Sequence, residues 1–283
     1  MMNKTEQSAR AEAFRGMHHG PRVLLLPNVW DVASARIVEN AGFTALATTS
    51  AGIAFSLGYP DGQRISREEM LAQVARIARA VKVPVSADVE AGYGNSPQDA
   101  AKTALGVIEA GAVGINLEDR VENGQVLVDL SLQLEKIAAI RETAASAGIS
   151  LVLNARTDVF LAQVGEDSRR YDLALARLAA FRDAHANCVF APGLRDRETI
   201  RRLAADLRCP LNILAVPGSP AVRELEQLGV ARVSLGSGPM RATLGLLRAI
   251  AAELKATGTY RAMENAPSHA DVNRLMTSDS GRL

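Results

Sequence analysis

Cysteine is almost missing from this 283-residue chain. Cys188 and Cys209 are too few for a disulfide framework and lack metal-ligand spacing, so both read as small core hydrophobes. A surplus of either charge is missing too, because 32 Lys and Arg face 31 Asp and Glu for a formal net charge of +1. Basic residues spread along the sequence supply no field to hold a polyanion, which argues against nucleic acid as a partner. Long apolar runs are absent as well. The most apolar stretches, 23–27 and 189–192, fall far below the ~20 residues needed to span a bilayer, and the start, MMNKTEQSAR, has no apolar signal core. The expectation is a cytosolic protein that engages no membrane.

What is present is a repeat. Short apolar, β-branched runs at 23–26, 44–48, 85–88, 114–117, 151–155, 188–191, 211–214 and 232–235 predict strands. Between them, apolar residues at helical spacing predict helices over 32–40, 67–81, 97–110, 130–147, 168–184, 196–206, 220–228 and 239–254. Start signals precede several of these: Pro97 behind Ser96, Ser66 two residues ahead of Glu68, and Pro220 behind Ser219. Gly42, Gly111, Gly148 and Gly229 stand where a left-handed residue would turn a helix end into the next strand. Eight βα units with no G-x-G-x-x-G after the first strand predict an α/β fold of the (β/α)₈ TIM-barrel type, not an open dinucleotide-binding sheet. A leading helix (about 1–20) and a C-terminal arm (about 257–283) lie outside the repeat, with no second domain expected.

In such a barrel the reactive face is built from the carboxyl ends of the strands, and carboxylates are found there. The third strand ends SADVEAGYGN and the fourth GINLEDR. Asp88 and Glu90 are two apart, so an extended chain points both to one side, and Glu118 leaves the neighbouring strand at the same height. Three acids at one mouth repel unless a hard divalent cation, Mg²⁺ or Mn²⁺, neutralises them; the other reading pairs them with Arg120 and Arg156. Arg156 ends the fifth strand in LNARTD, placed to fork onto a carboxylate or phosphonate with Asp158 orienting it, or to serve as a counter-charge. The small, hydroxyl-rich loop Thr49, Ser50, Ala51 is suited to close approach of an oxyanion. Asp61 either faces the site or shapes a turn, and Asn212 either binds substrate or satisfies the core.

Four ordered segments, TTSAGIAFSLGYPDG, ADVEAGYGN, GINLEDR and LNARTDVF, resemble the isocitrate lyase and phosphoenolpyruvate mutase superfamily over roughly residues 20 to 255. The resemblance implies a barrel whose eighth helix is exchanged between paired subunits, a homo-oligomer that is a dimer of dimers, Mg²⁺, and a small 2-oxo carboxylate or its enolate as substrate. It also implies roles: Asp88, Glu90 and Glu118 as metal-site acids, the first and last often through water, and Asp61 as the acid beneath them. Thr49 to Ala51 would hold the substrate carboxylate, Arg156 its far end, and Asn212 would be a substrate-side polar group. Two departures stand out. The loop after the fourth strand, RVENGQVLVD, lacks the Cys-Gly-His element of the isocitrate lyases and is shorter than that of the mutases, leaving Glu122 and Asn123 as its polar candidates. The sixth strand is followed by Ala191-Pro192-Gly193 where the mutases resemble a His-Ser pair. The resulting expectation is a Mg²⁺-dependent lyase or decarboxylase that breaks a carbon-carbon bond in a small 2-oxo or 2-hydroxy acid through a pyruvate enolate. Phosphorus-carbon chemistry of the mutase or phosphonopyruvate hydrolase kind, and a non-catalytic carboxylate-binding barrel, are the alternatives.

Overall fold

The computed structural model describes residues 3–120 and 126–277. A leading helix α1 (Lys4–Met17) precedes a first strand that is split in two, β1 (Leu24–Leu26) and β2 (Asn28–Val29). The chain then alternates: α2 (Val32–Asn40), β3 (Leu46–Thr48), α3 (Ser50–Ser56) and α4 (Arg67–Ala80), β4 (Val85–Asp88), α5 (Pro97–Glu109), β5 (Gly114–Glu118), α6 (Leu130–Ala147). It continues through β6 (Val152–Arg156), α7 (Asp167–Asp183), β7 (Cys188–Phe190), α8 (Arg197–Leu207), β8 (Leu211–Leu214), α9 (Val222–Gln227), β9 (Arg232–Ser234) and α10 (Gly238–Thr257). A 3₁₀ turn (Arg261–Met263) and α11 (His269–Thr277) give the C-terminal arm structure that the sequence pattern did not announce.

All strands are parallel, in the order β1, β9, β8, β7, β6, β5, β4, β3, β2. Leu24 to Leu26 pair with Arg232 to Ser234, while Asn28 and Val29 pair with Ala47 and Thr48. One strand thus serves both edges and closes the ring. The break falls at Pro27, which has no N–H to give a ladder but whose carbonyl still accepts from Ala47 N at 3.0 Å. The expected TIM-type barrel is what the chain forms, and every predicted strand and helix is found within a few residues of its expected place.

The local reasons are those of the sequence, with adjustments. Ser66 and Ser96 each close a capping box, with Glu69 rather than Glu68 and with Asp99. Gly148 ends α6 at φ +67°, where its N–H donates to Ala144 O. At the amino-terminal end of the strands, α1 seats the fully buried Phe14 against Gly114, where a Cβ would come within 2.7 Å of the ring. Outside the ring, α10 buries only Met240 and leaves Leu244, Leu246, Leu247 and Leu254 exposed. Among the described residues no helix is long and apolar enough to cross a membrane.

Just beyond α1, His18 is buried, donates from Nδ1 to the Phe14 carbonyl at 2.9 Å, and stacks edge-on with the Phe14 ring. Burial, then the Arg232 charge, pushes its pKa down to about 3. The unfolded chain therefore takes up a proton below about 6.5 that the fold refuses until about 3. His18 contributes no penalty at neutral pH, and stability falls as pH drops through that window, by up to about 1.4 kcal/mol per pH unit. Urea unfolding at pH 7, 6 and 5 should show this slope, flatter by about one proton in His18→Phe; equal slopes in both proteins would refute it.

Candidate active site

Strands β2 to β9 and the loops behind them enclose a cavity of about 240 Å³. Thr49, Ser50, Ala51, Asp61, Asp88, Arg156 and Asn212, seven of the predicted site residues, line it. A wider, open hollow of about 700 Å³, lined in part by Arg15, Arg141 and Arg182, contains none of them.

Thr49 to Ala51 are not a loop but the start of α3: Thr49 is the N-cap, its hydroxyl accepting from Gly52 N at 3.3 Å. Ser50 donates to Asp88 Oδ2 twice, from its N–H at 2.9 Å and its hydroxyl at 2.8 Å. Asn116 Nδ2 donates to Asp88 Oδ1 at 2.8 Å, and Asn154 Nδ2 donates in turn to Asn116 Oδ1 at 2.8 Å. Asp88 is thereby fixed in orientation by three donors.

Glu90 departs from the expectation that it shares a side with Asp88. The strand ends at Asp88, and Glu90 has φ +52°, so the alternation on which that expectation rested stops before it. Its buried carboxylate accepts from Gln63 N and from the Tyr93 hydroxyl, and does not line the cavity. Burial and then the charges of Asp88 and Asp61 raise its pKa to about 7. Asp61, exposed overall yet part of the cavity wall, is raised by desolvation and then by Asp88. Glu118 lies behind the wall with Oε2 2.7 Å from Arg156 Nη1; burial pushes it up, and Arg156 opposes that shift. Among the described residues no three His, Cys, Asp or Glu side chains converge to hold a metal directly. The donors are nevertheless hard oxygens, and after burial the charge of Asp88 helps to push Asp61 and Glu90 upward, so the set suits a divalent cation reached partly through water.

Arg156 is gripped by Asp158 through both forks, Nε to Oδ1 at 2.6 Å and Nη2 to Oδ2 at 2.8 Å, as well as by Glu118. Its guanidinium also sits 5.8 Å from the Phe190 ring centroid. Burial works against its charge, but Asp158 and Glu118 outweigh burial and raise its pKa. The two roles read from the sequence coexist, because five guanidinium N–H bonds minus three used leave one on each terminal nitrogen for a ligand.

A pair that sequence reading passed over supports this clamp. Buried Asp119 accepts from Arg177 Nε at 2.7 Å and from Asp158 N at 3.0 Å, while Arg177 Nη2 donates to Val128 O at 2.7 Å. It ties the base of the loop after β5 to the residue that orients Arg156. Glu122 and Asn123 lie outside the described residues. Asn212 is fully buried and exchanges hydrogen bonds with Ser234 at 3.1 and 3.3 Å, so it satisfies the core while also facing the cavity. Arg232 was also passed over; it lines the cavity floor, and its only signal was a charge at the same strand parity as Ser234. Burial raises both thiols, Cys188 to about 12 and Cys209 to about 11, consistent with inert packing residues.

Comparison with known proteins identifies the family. Residues 14–255 match the phosphoenolpyruvate phosphomutase family. Protein Rv1998c of Mycobacterium tuberculosis H37Rv, itself uncharacterized, is 36% identical over 82% of this chain and 84% of its own length. The 2-methylisocitrate lyase of Bacillus subtilis 168 is 30% identical over 81% of this chain and 76% of its own. A crystal structure of a candidate lyase/mutase from Burkholderia cenocepacia J2315 superposes with a TM-score of 0.91 at 37% identity, covering 97% of this chain and 98% of that one. With a family match over residues 14–255 and a relative 30% identical over 81% of its length, the chain belongs to the phosphoenolpyruvate phosphomutase family, within the isocitrate lyase/phosphoenolpyruvate mutase superfamily.

Proposed function

We propose that this protein is a Mg²⁺-dependent lyase that breaks a carbon-carbon bond in a small 2-oxo or 2-hydroxy carboxylic acid by way of a pyruvate enolate. The observation that carries this reading is the single cavity of about 240 Å³ in which Ser50, Ala51, Asp88 and Arg156 meet. Its size suits a small acid. Asp88 would hold the cation, with Glu90 and Glu118 acting behind it through water. When bound, Mg²⁺ supplies Lewis-acid stabilisation of the negative charge that develops on the C2 oxygen.

The chain's own residues do the rest. Ala51 N–H lies in the first turn of α3, where no helical carbonyl can accept from it, so it is available to a substrate carboxylate. Arg156, held rigid by Asp158, presents its two remaining N–H groups to the group that departs. Asp61, whose carboxyl is shifted toward the protonated form, is placed at the wall to hold or release a proton. The unburied leucine face of α10 fits the helix exchange and paired subunits implied by the family, since a second copy would cover it.

Oxalate mimics the planar enolate and tests the reading without knowledge of the natural substrate. Calorimetry in Mg²⁺ should rank oxalate above pyruvate by a factor on the order of 10², because a catalytic site favours the species near the transition state. Chelator should abolish the difference. Equal affinities, or oxalate binding that ignores the metal, would leave a carboxylate-binding barrel as the better description.

A further inference from the structure

Basic residues are spread along the sequence, yet the fold gathers three arginines in the open hollow of about 700 Å³. Asn187 and Pro210, which line it, directly precede β7 and β8, so it lies at the amino-terminal end of the strands. It shares no lining residue with the candidate active site. Arg141, half-buried on α6, spends Nη1 on Leu151 O at 2.9 Å and on Asn187 Oδ1 at 3.0 Å. Its Nε and Nη2 have no partner, and no carboxylate lies within ion-pair distance of it, among the described residues. Burial, then the Arg15 charge, lowers its pKa, so the charge it feels is of its own sign.

The other groups repeat the pattern of donors left over. Asn187 Oδ1 is taken by Arg141 and by Leu153 N at 2.9 Å, which leaves the Nδ2 donors without a partner among the described residues. Arg182 gives Nε to Asp183 and Nη1 to Leu207 O, both at 2.8 Å, and keeps Nη2. Arg15 is held by Glu12 at 2.7 Å, the one carboxylate in the lining among the described residues. Guanidinium groups donate and never accept, so the ligand that fits is all acceptor and more than singly charged. A carboxylate brings few oxygens to so wide a hollow; linked phosphates bring more, and the planar fork of arginine matches them. No Phe, Tyr or Trp lines the hollow to stack on a base, so recognition falls on the phosphates themselves. We propose that this hollow is a binding site for a pyrophosphate group, free or borne at the end of a larger phosphorylated molecule. Its occupant engages Arg141 and Asn187, the pair that ties the start of β6 to the start of β7.

The test is calorimetric titration in metal-free buffer at an ionic strength of about 0.15 M, with inorganic phosphate, pyrophosphate, ADP and a single-stranded RNA oligonucleotide as probes. Wild-type protein should bind pyrophosphate about tenfold or more tighter than phosphate. Arg15→Ala, on the exposed face of α1 where alanine keeps the helix, should weaken pyrophosphate by roughly fivefold. Glu12→Gln should tighten it by roughly as much, because the lining loses its carboxylate and Arg15 is released. Arg274→Ala, an exposed arginine on α11 outside the hollow, should change nothing. ADP that binds as tightly as pyrophosphate supports the site and marks a diphosphate carried on a larger molecule; ADP that binds about tenfold weaker supports it and marks free pyrophosphate. The proposal is overturned if pyrophosphate binds no better than phosphate, if either Arg15→Ala or Glu12→Gln leaves its affinity within about 1.5-fold of wild type, or if Arg274→Ala weakens it as much as Arg15→Ala. RNA binding tighter than pyrophosphate also overturns it, since the hollow would then belong to a nucleic-acid surface.

Discussion

Asp88→Asn should weaken Mg²⁺-dependent oxalate binding by roughly a hundredfold, about 2.7 kcal/mol, in protein that still folds. Two separate losses add to that figure. The first is the charge: Asp88 lines the cavity, whereas Glu90 and Glu118 stand outside the wall. The second is hydrogen-bond polarity. Ser50 donates to Oδ2 and Asn116 donates to Oδ1, so an amide NH₂ must face a donor whichever way it turns. Removing the Asp88 charge should also let the Asp61 and Glu90 carboxyls fall back toward the ordinary range, since Asp88 is the leading charge that raises each. Affinity for oxalate within threefold of wild type would mean that Asp88 is not the metal's anchor.

The second large effect is on stability. Arg177→Met should cost about 3 to 5 kcal/mol, read as a lower urea midpoint at pH 7, because it strands a fully buried carboxylate. Burial already raises Asp119, and Arg177 is the largest influence opposing it. Adding Asp119→Asn to Arg177→Met should recover much of the loss, since the amide oxygen still accepts from Asp158 N without carrying charge. A cost below about 1 kcal/mol for Arg177→Met would show that the pair is no better than a surface bridge.

The strands, the covering helices and the order of the acids were legible because each depends on neighbours in sequence: a β-branched run, a helical stripe, a carboxylate at a strand end. The parts that escaped depend on something else. Whether Glu90 follows Asp88 is decided by one backbone angle, φ +52°, that alternation cannot foresee. Residues 50–56, SAGIAFS, are small and carry little helical stripe, so the helix capped by Thr49 read as a loop. Asp119 and Arg177 lie on separate elements, and nothing local joins them. Arg232 was hidden within a strand run, where its environment is set by the other walls of the barrel.

The broken first strand also orders events in time. Leu24 to Leu26 have their partners in Arg232 to Ser234, so the seam cannot be sewn until the last strand has been made. At ribosomal speeds of about 5 to 20 residues per second, roughly two hundred residues of synthesis pass with the leading edge unpaired, on the order of 10 to 40 s. Pro27 divides that edge into a three-residue and a two-residue template, too short to recruit a neighbouring nascent chain. The proline that interrupts the finished ladder therefore acts as a guard on the unfinished one.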